Sequence, residues 1–136
     1  MKTLTALSVL ILVTACQAPP PEAPDHREAN RQTARDLYAA LDAQDFDRLN
    51  ALVAPDLEVK VVGTQQGFPW SAVTSDMIPM YYGAFDGYRH VIDQLVAEED
   101  WVVARLTYHG THTGEFMGVP ATGTEMTYGG IHMLRI

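Results

Sequence analysis

Residues 97–136 read AEEDWVVARLTYHGTHTGEFMGVPATGTEMTYGGIHMLRI. They contain two runs in which apolar and polar residues alternate. The segment between the runs is rich in turn-forming residues, namely Gly110, Gly114, Gly118, Pro120 and Gly123. A period of two is typical of a strand that buries one face, and glycine and proline mark a chain reversal. We therefore predict that the two runs form the arms of one long antiparallel hairpin.

The alternation also predicts which side chains face the core. In the first arm the inward set is Val102, Ala104, Leu106 and Tyr108, and the outward set is Trp101, Val103, Arg105, Thr107 and His109. In the second arm the inward set is Met126, Tyr128, Gly130, His132, Leu134 and Ile136. If the first arm keeps its pleat past Gly110, His112 points inward as well. The pattern thus predicts that His112 and His132 face one cavity.

The first residues of the sequence are predicted to form a targeting signal. Lys2 precedes an apolar run over residues 4–13, and the sequence VTAC follows and ends at Cys16. This order is typical of a signal peptide, and the run is shorter than the roughly 20 residues of a membrane-spanning helix. VTAC resembles a bacterial lipobox, which implies lipidation of Cys16, the chain's only cysteine; an ordinary secretory signal is the alternative. We expect residues 1–15 to be removed and the protein to be lipid-anchored at the periplasmic or cell-envelope face of a bacterial membrane.

Composition and charge exclude several classes of partner. The segment 16–25 is proline-rich and is interpreted as an extended tether, which leaves one domain over residues 26–136. With 9 basic and 17 acidic residues the net charge is −8. That balance argues against nucleic-acid binding and against electrostatic attraction to anionic lipid. Membrane attachment would therefore depend on acyl chains at Cys16.

Helical periodicity precedes the hairpin. Apolar residues at helical spacing predict a first helix from His26, through Ala34, Leu37, Tyr38 and Leu41. Asp45 is predicted to cap a short second helix that ends before Pro55, and residues 57–62 are predicted as a strand.

A loop, a third helix and another strand are predicted next. Residues 63–71 read as a loop that carries Trp70, for which core or rim packing and ligand contact are both open. Ser75 or Asp76 is predicted to cap a third helix through Tyr82. A turn over residues 83–87 and a strand over residues 88–97 follow. Which face of this strand is buried is unclear, because neither set of alternate residues is apolar.

The chemistry that the sequence supports is found by elimination. A metal site is not predicted, because the spacing of His109 and His112 on a strand sends their rings to opposite faces. No serine or cysteine lies at a strained turn beside a histidine, and no cofactor signature is present. General acid–base chemistry by His132 and His112 in an apolar pocket remains, since burial keeps an imidazole neutral. The alternative for each is a hydrogen-bonded core residue. The other histidines, His26, His90 and His109, are interpreted as surface residues.

Three motifs resemble those of a known family. They are a D-x-V-x-x-R stretch (Asp100, Val102, Arg105), the run GTHTGEFMGVPATG over residues 110–123, and GIHMLRI over residues 130–136. Together they resemble the SnoaL-like polyketide cyclases, also called SnoaL-like ester cyclases, over residues 28–136. The resemblance implies the cone-shaped α+β fold named after nuclear transport factor 2, in which N-terminal helices pack on a strongly curved antiparallel sheet. It also implies an intramolecular aldol condensation on an aromatic polyketide ester, without metal or cofactor.

The resemblance transfers only part of the active site. The histidine of the family's G-x-H motif corresponds to His132, taken as the catalytic residue, and the histidine of its GTH motif corresponds to His112. We assign His112, Tyr128, Trp70 and Tyr108 to substrate binding. The family's catalytic aspartate lies on a following strand and has no counterpart before Ile136. We therefore interpret the domain as C-terminally truncated with its last strand missing, so that the chain either continues in a longer product or is covered by a second chain at this edge.

Asp93 and Asp86 are the candidates to replace the missing carboxylate. The predicted function is cyclase-type proton transfer on a small hydrophobic ester or ketone. A non-catalytic, lipid-anchored ligand-binding module and an interaction domain with a filled core are the alternatives. A homodimer through the outer sheet face is also predicted, with apolar contacts from Trp101, Val103 and Met133.

Overall fold

The computed structural model describes residues 25–63 and 66–136. The predicted signal peptide, Cys16 and all but the last residue of the tether lie outside the described residues. Helices precede a sheet of long strands, and the elements in order are α1 (Arg27–Asp42), α2 (Phe46–Leu52), β1 (Glu58–Lys60), β2 (Gly67–Pro69), α3 (Trp70–Ala72), a π-helical turn (Val73–Met77), α4 (Ile78–Ala84), β3 (Phe85–Glu98), β4 (Trp101–His112) and β5 (Glu125–Arg135). The predicted α+β class is confirmed.

The long hairpin is confirmed as β4 and β5. The three long strands form an antiparallel sheet in the order β3-β4-β5, and β1 pairs separately with β2. In β4 the predicted inward residues Val102, Ala104 and Leu106 are 0% exposed. In β5 the alternation is also as predicted, but the inward side chains are only partly covered.

Helix α1 covers the inner face of the sheet. Its buried residues are Ala34, Tyr38 and Ala40. Tyr38 packs in one cluster with Leu106 and Tyr108 of β4, while Ala34 packs with Val102. A second cluster joins α1 to α2 and the helices that follow β2, through Ala40, Leu49, Val73 and Ile78. Each fully buried large apolar side chain contributes about 1.5–3 kcal/mol relative to exposure, so these clusters fix α1 on the sheet.

The first two helices begin and end close to the predicted positions. Asp45 Oδ1 accepts a hydrogen bond from the backbone N–H of Arg48 at 3.0 Å, which confirms the predicted cap of α2. The short link between the helices turns at Gln44, whose φ of 52° lies in the left-handed region.

The segment after β1 differs from the prediction. Residues 67–69 of the predicted loop form β2, and the next helical stretch begins at Trp70 rather than at Ser75 or Asp76. Those two residues lie in the π-helical turn, directly before the helix that contains Pro79. Proline has no N–H to donate to the preceding turn, and the wider π turn accommodates that loss.

The predicted turn at residues 83–87 is also wrong, because α4 passes directly into β3 at Phe85. Strand β3 then changes facing part-way along its length. Tyr88, His90 and Ile92 are the more buried residues of its first half, whereas Leu95 and Ala97 are those of its second half. A register shift between Ile92 and Gln94 separates the halves, and such a bulge moves the alternation by one residue. For this reason, neither of the two sets of alternate residues in the β3 sequence is uniformly apolar.

The connection from β4 to β5 is tied to the end of α4. The backbone N–H groups of Thr113 and Gly114 both donate to the carbonyl oxygen of Ala84, at 3.0 and 2.9 Å. A Cβ on Gly114 would lie 2.4 Å from the carbonyl oxygen of Gly83, and one on Gly110 would lie 3.1 Å from Cβ of Phe85. Both glycines of the GTHTG motif therefore allow close approach of neighbouring segments.

Within residues 25–63 and 66–136, no helix has the length and apolar character needed to cross a membrane.

Candidate active site

His132 lies between two tyrosine hydroxyls on the inner face of the sheet. Its Nδ1 is 3.0 Å from the hydroxyl of Tyr38 on α1, and its Nε2 is 2.8 Å from the hydroxyl of Tyr108 on β4. Helix and sheet thus each supply one partner. Because both ring nitrogens are engaged, the orientation of the imidazole is fixed.

His132, Tyr38 and Tyr108 form a hydrogen-bonded triplet, and the protonation state of each member follows from its burial. Burial, and secondarily the charge that His90 can carry, lowers the pKa of His132 below its usual value. Burial raises the pKa of Tyr108 to about 12 and raises that of Tyr38 as well. At neutral pH the site therefore holds two phenols and a neutral imidazole, which has one N–H donor and one bare nitrogen.

Counting hydrogens shows what the triplet can donate. One phenol must donate to the bare nitrogen of His132, and the other must accept from its N–H. The accepting phenol keeps its own hydroxyl hydrogen for a third partner. In either tautomer, one phenolic hydrogen is left unused by the triplet.

Gly130 provides the space for this arrangement. A Cβ at position 130 would lie 2.7 Å from Cε2 of Tyr108 and 2.9 Å from its hydroxyl oxygen. The Tyr108 ring therefore lies over the backbone of Gly130, from where its hydroxyl reaches His132. This contact gives a physical reason for the G-x-H spacing.

Aromatic rings extend the site along the inner face of the sheet. Tyr108 stacks on Tyr128 with ring centroids 4.5 Å apart and an interplanar angle of 15°. The hydroxyls of Tyr128 and Tyr88 are 3.1 Å apart. We call the row of rings formed by Tyr88, Tyr108 and Tyr128 the aromatic wall. Tyr128 remains 39% exposed, so this end of the aromatic wall is open to a ligand.

A second histidine, which the sequence analysis placed on the surface, belongs to the same wall. The side chain of His90 is only 7% exposed, and its Nδ1 lies 2.6 Å from Oδ1 of Asp42, the last residue of α1. Its ring centroid is 5.1 Å from that of Tyr108 and 5.5 Å from that of Tyr38. The surface prediction for His90 is wrong because the irregular register of β3 hid its facing.

Asp42 is held by several donors. It accepts from the backbone N–H of His90 at 3.1 and 3.2 Å and from the hydroxyl of Tyr82 at 3.1 Å. Burial alone would raise the pKa of Asp42, but the hydrogen bonds and charge of His90 and the hydrogen bond from Tyr82 outweigh it and lower that pKa. Asp42 is therefore ionised at neutral pH.

Comparison with known proteins now identifies the family. A model of the SnoaL-like polyketide cyclases matches residues 31–136. The chain belongs to this family. AclR from Streptomyces galilaeus, described as a candidate hydroxylase, is 25% identical with a TM-score of 0.71 over 81% of this chain and 80% of AclR. IdmH from Streptomyces antibioticus, described as a candidate polyketide cyclase, is 27% identical with a TM-score of 0.64 over 79% of this chain and 82% of IdmH.

The fold assignment has further support. A SnoaL-like polyketide cyclase candidate from Jannaschia sp. CCS1 is 19% identical with a TM-score of 0.73, over 86% of this chain and 83% of that one, and shows the same fold. A comparison with curated proteins finds no match. Membership of the SnoaL-like family supports a cyclase-type function of the kind that needs no cofactor.

The structure of this SnoaL-like chain separates the two predicted site histidines. His132 pairs with Ala104 of β4, whereas His112 lies eight residues further along β4 and pairs with Phe85. That separation is roughly 25 Å at 3.3 Å per residue. His112 is inward and buried as predicted, but it packs on the ring of Phe85 at 5.1 Å and contacts the hydroxyl of Thr122 at 3.1 Å.

Other predicted residues lie away from the triplet. Trp70 donates from Nε1 to Asn50 at 2.8 Å and packs against the cluster of α2 and the following helices. Asp93 binds the hydroxyl of Thr107 on the outer face at 2.8 Å, and Asp86 is exposed. Of the predicted substrate-binding residues, Tyr108 contacts His132 and Tyr128 stacks on Tyr108.

Two hollows of about 400 and 360 Å³ in the described part of the chain also lie elsewhere. The first is bordered by the start of α1 and the β3–β4 turn, and the second by Arg35 and the middle of β3. The described ranges hold no group of three or more histidine, cysteine, aspartate or glutamate side chains placed to bind a metal ion. The triplet is thus part of an aromatic wall that opens at Tyr128, rather than the lining of either hollow.

The close contact at Gly130 leads to a test. We expect Gly130→Ala to push the Tyr108 ring aside, break its bond to His132 and admit water, so that the pKa of His132 rises toward its ordinary value of 6.5. Gly129→Ala is the matched control, since its Cβ would meet only the carbonyl oxygen of Leu106 at 3.7 Å. The imidazole resonances of His132, followed by NMR from pH 8 to pH 4, would measure both.

The lowered pKa of His132 also makes the stability of the folded protein depend on pH. The folded wild type favours neutral His132, so on acidification the unfolded chain binds this proton first. The stability that His132 contributes is present above pH 6.5 and is lost as the pH falls from there through the lower pKa of the folded state.

For the Gly130→Ala variant, a His132 titration that is unchanged from the wild type would contradict the role given to the contact between Gly130 and Tyr108.

Proposed function

We propose that the protein is a cofactor-free, cyclase-type enzyme that transfers protons on a small hydrophobic ester or ketone. The observation that supports this most directly is a neutral imidazole held between two tyrosine hydroxyls, His132 between Tyr38 and Tyr108. Such a triplet leaves one phenolic hydrogen for a carbonyl oxygen. Family membership supports a cyclase-type reaction at this site.

The triplet would stabilise negative charge on a carbonyl oxygen. As an α-proton leaves the substrate, charge develops on that oxygen, and a phenol that already accepts from His132 becomes a stronger donor to it. The resulting enolate carbon would attack a second carbonyl of the same molecule to close a ring. Tyr128, which is 39% exposed and stacks on Tyr108, would offer a planar substrate an aromatic contact next to the triplet.

Proton transfer can be tested with 2-tetralone, an enolisable aromatic ketone. We expect the wild type to accelerate exchange of its α-hydrogens with D₂O, as measured by NMR. His132→Ala should slow the exchange about 100-fold or more, the usual effect of losing preorganised hydrogen bonding to a developing oxyanion. His109→Ala is the matched control, because His109 faces outward and contacts Thr127; it should retain full activity.

Two outcomes would contradict this proposal. Equal rates in the wild type and His132→Ala would remove the triplet from the chemistry. If the wild type binds 2-tetralone without exchange above the solvent rate, the protein is instead a ligand-binding module, the alternative that the exposed stacking surface of Tyr128 favours.

We also propose that the outer face of the sheet packs against a second copy of the chain. Val96, Val103 and Met133 are paired in register across all three strands and form one apolar row. Met133 is 66% exposed and its neighbour Ile131 is 67% exposed. Trp101 lies beside the middle of the row, two residues before Val103 on β4, and is 43% exposed. A flat apolar row of this kind supports self-association, because covering one large side chain contributes about 1.5–3 kcal/mol.

We expect Met133→Lys to dissociate this dimer, since association would then bury an unpaired charge within the apolar row. Met117→Lys is the matched control, because Met117 is 78% exposed in the connection between β4 and β5. Analytical ultracentrifugation of both variants and the wild type would measure at least a tenfold weaker association for Met133→Lys alone. A monomeric wild type at 100 μM would contradict the proposal.

For the location of the protein, we propose lipidation at Cys16 and anchoring at the outer surface of a bacterial inner membrane or at the envelope. The VTAC sequence at residues 13–16 and the proline-rich segment after it support this. In Triton X-114 partitioning of cells that express the full chain, the wild type should enter the detergent phase. Cys16→Ser should enter the aqueous phase. Aqueous partitioning of the wild type would exclude the anchor.

A further inference from the structure

The proposed reaction needs a group that removes a carbon-bound proton, and His132 is poorly suited to that task. Both of its ring nitrogens are already hydrogen-bonded to tyrosine hydroxyls. To accept a proton from carbon, it would first have to break the contact with Tyr38 or Tyr108. A base with an unengaged nitrogen on the same wall would not carry this cost.

His90 has such a nitrogen. Its Nδ1 and its backbone N–H both contact the Asp42 carboxylate, and Tyr82 donates to the same carboxylate. A carboxylate that receives several N–H and O–H donors acts only as an acceptor, so Nδ1 of His90 carries the ring hydrogen. When the ring is neutral, Nε2 is therefore its bare nitrogen and can accept a proton.

The backbone explains why Asp42 and His90 meet. Asp42 ends α1, and His90 lies on β3, which is an edge strand of the three-stranded sheet. The N–H of His90 therefore points away from β4 and binds the carboxylate at the end of the helix. This contact and the 2.6 Å bond to Nδ1 set the position and the tautomer of the ring together.

His90 is also close to the oxygen-binding group. It pairs across the sheet with Tyr108, and the two ring centroids are 5.1 Å apart at an interplanar angle of 66°. Tyr108 in turn contacts Nε2 of His132. A carbonyl oxygen and its α-carbon are only two bonds apart, so one substrate can contact both groups.

We infer that Asp42 and His90 form the proton-accepting pair of this site, with His90 as the catalytic base and Asp42 as its positioning residue; the inference rests on the proposed function. The substrate class that fits is a compound with two carbonyl groups, one of them bearing an α-hydrogen. Neither Asp93, which binds Thr107, nor the exposed Asp86 belongs to this pair.

The proton and electron balance of the step is complete. The α-C–H bond breaks, its electron pair forms the enolate, and the proton moves to Nε2 of His90. The resulting imidazolium is stabilised by the Asp42 carboxylate, and the enolate oxygen accepts from the phenol beside His132. The enolate carbon then bonds to the second carbonyl carbon, whose oxygen takes the proton back from Nε2. No co-reactant is consumed.

The test compares matched histidines and aspartates in 2-tetralone exchange. We expect His90→Gln to slow exchange at least 100-fold and Asp42→Asn at least tenfold, the latter because an amide no longer fixes the tautomer. The outward-facing residues provide the controls: His109→Gln and Asp93→Asn should each change the rate less than twofold. Affinity for 2-naphthol, a planar enol analogue, should change less than threefold in His90→Gln, which would show that the wall is still folded.

The tautomer of His90 provides a readout that a merely structural Asp42 would not move. Long-range ¹H–¹⁵N NMR of the wild type should show the hydrogen of His90 on Nδ1, and Asp42→Asn should convert it to a mixture. A wild-type His90 with its hydrogen on Nε2 overturns the inference, even if a variant fails to fold.

The two proposals fail in different ways. If His132→Ala loses exchange while His90→Gln and Asp42→Asn retain it, the pair is not the base and the proposed function stands. If the wild type gives no exchange above the solvent rate, the proposed function fails and this inference fails with it.

Discussion

Strand β4 is the constraint on which the rest of the structure depends. It is paired along both edges, with β3 and with β5, and its inward residues are the most completely buried in the sheet. A strand paired on both sides cannot slip by one residue without turning Val102 and Leu106 toward solvent. Its register therefore fixes the neighbours of Tyr108: His90 on one side and Tyr128 on the other.

The polar groups of the site are stable because they are hydrogen-bonded to one another within this apolar setting. An unpaired hydroxyl or imidazole at these positions would cost on the order of 1–3 kcal/mol. Tyr38 and Tyr108 each engage a nitrogen of His132, and Asp42 engages His90. The low dielectric that makes unpaired groups costly also strengthens each of these bonds, so the arrangement is rigid before any ligand arrives.

Sequence periodicity predicted the facing of β4 and β5 because two regular strands repeat every two residues. It failed on β3, where the bulge after Ile92 moves the alternation, and His90 was consequently assigned to the surface. The alternation of residues along a strand also shows which face of the sheet a side chain is on, but not how far along the strand it lies. The predicted meeting of His112 with His132 does not occur for that reason, although both point inward.

The contact between Asp42 and His90 could not be predicted from local pattern, since 48 residues separate the two. A helix end and an edge strand meet only after α1 has packed on the sheet. A signal was nevertheless present, because Asp42 follows the buried stripe of α1 and a carboxylate there can receive unpaired donors of a strand edge.

Motif resemblance and geometry contribute different parts of the site. The resemblance identified His132 through the G-x-H spacing, and the structure explains that spacing by the Tyr108 ring over Gly130. The resemblance could not distinguish a histidine with both nitrogens engaged from one with a single nitrogen fixed. The first kind is suited to donate or relay a hydrogen bond to an oxygen, and the second is suited to accept a proton. His132 has the first arrangement and His90 has the second, so the division of roles between the two histidines follows from their hydrogen-bond partners.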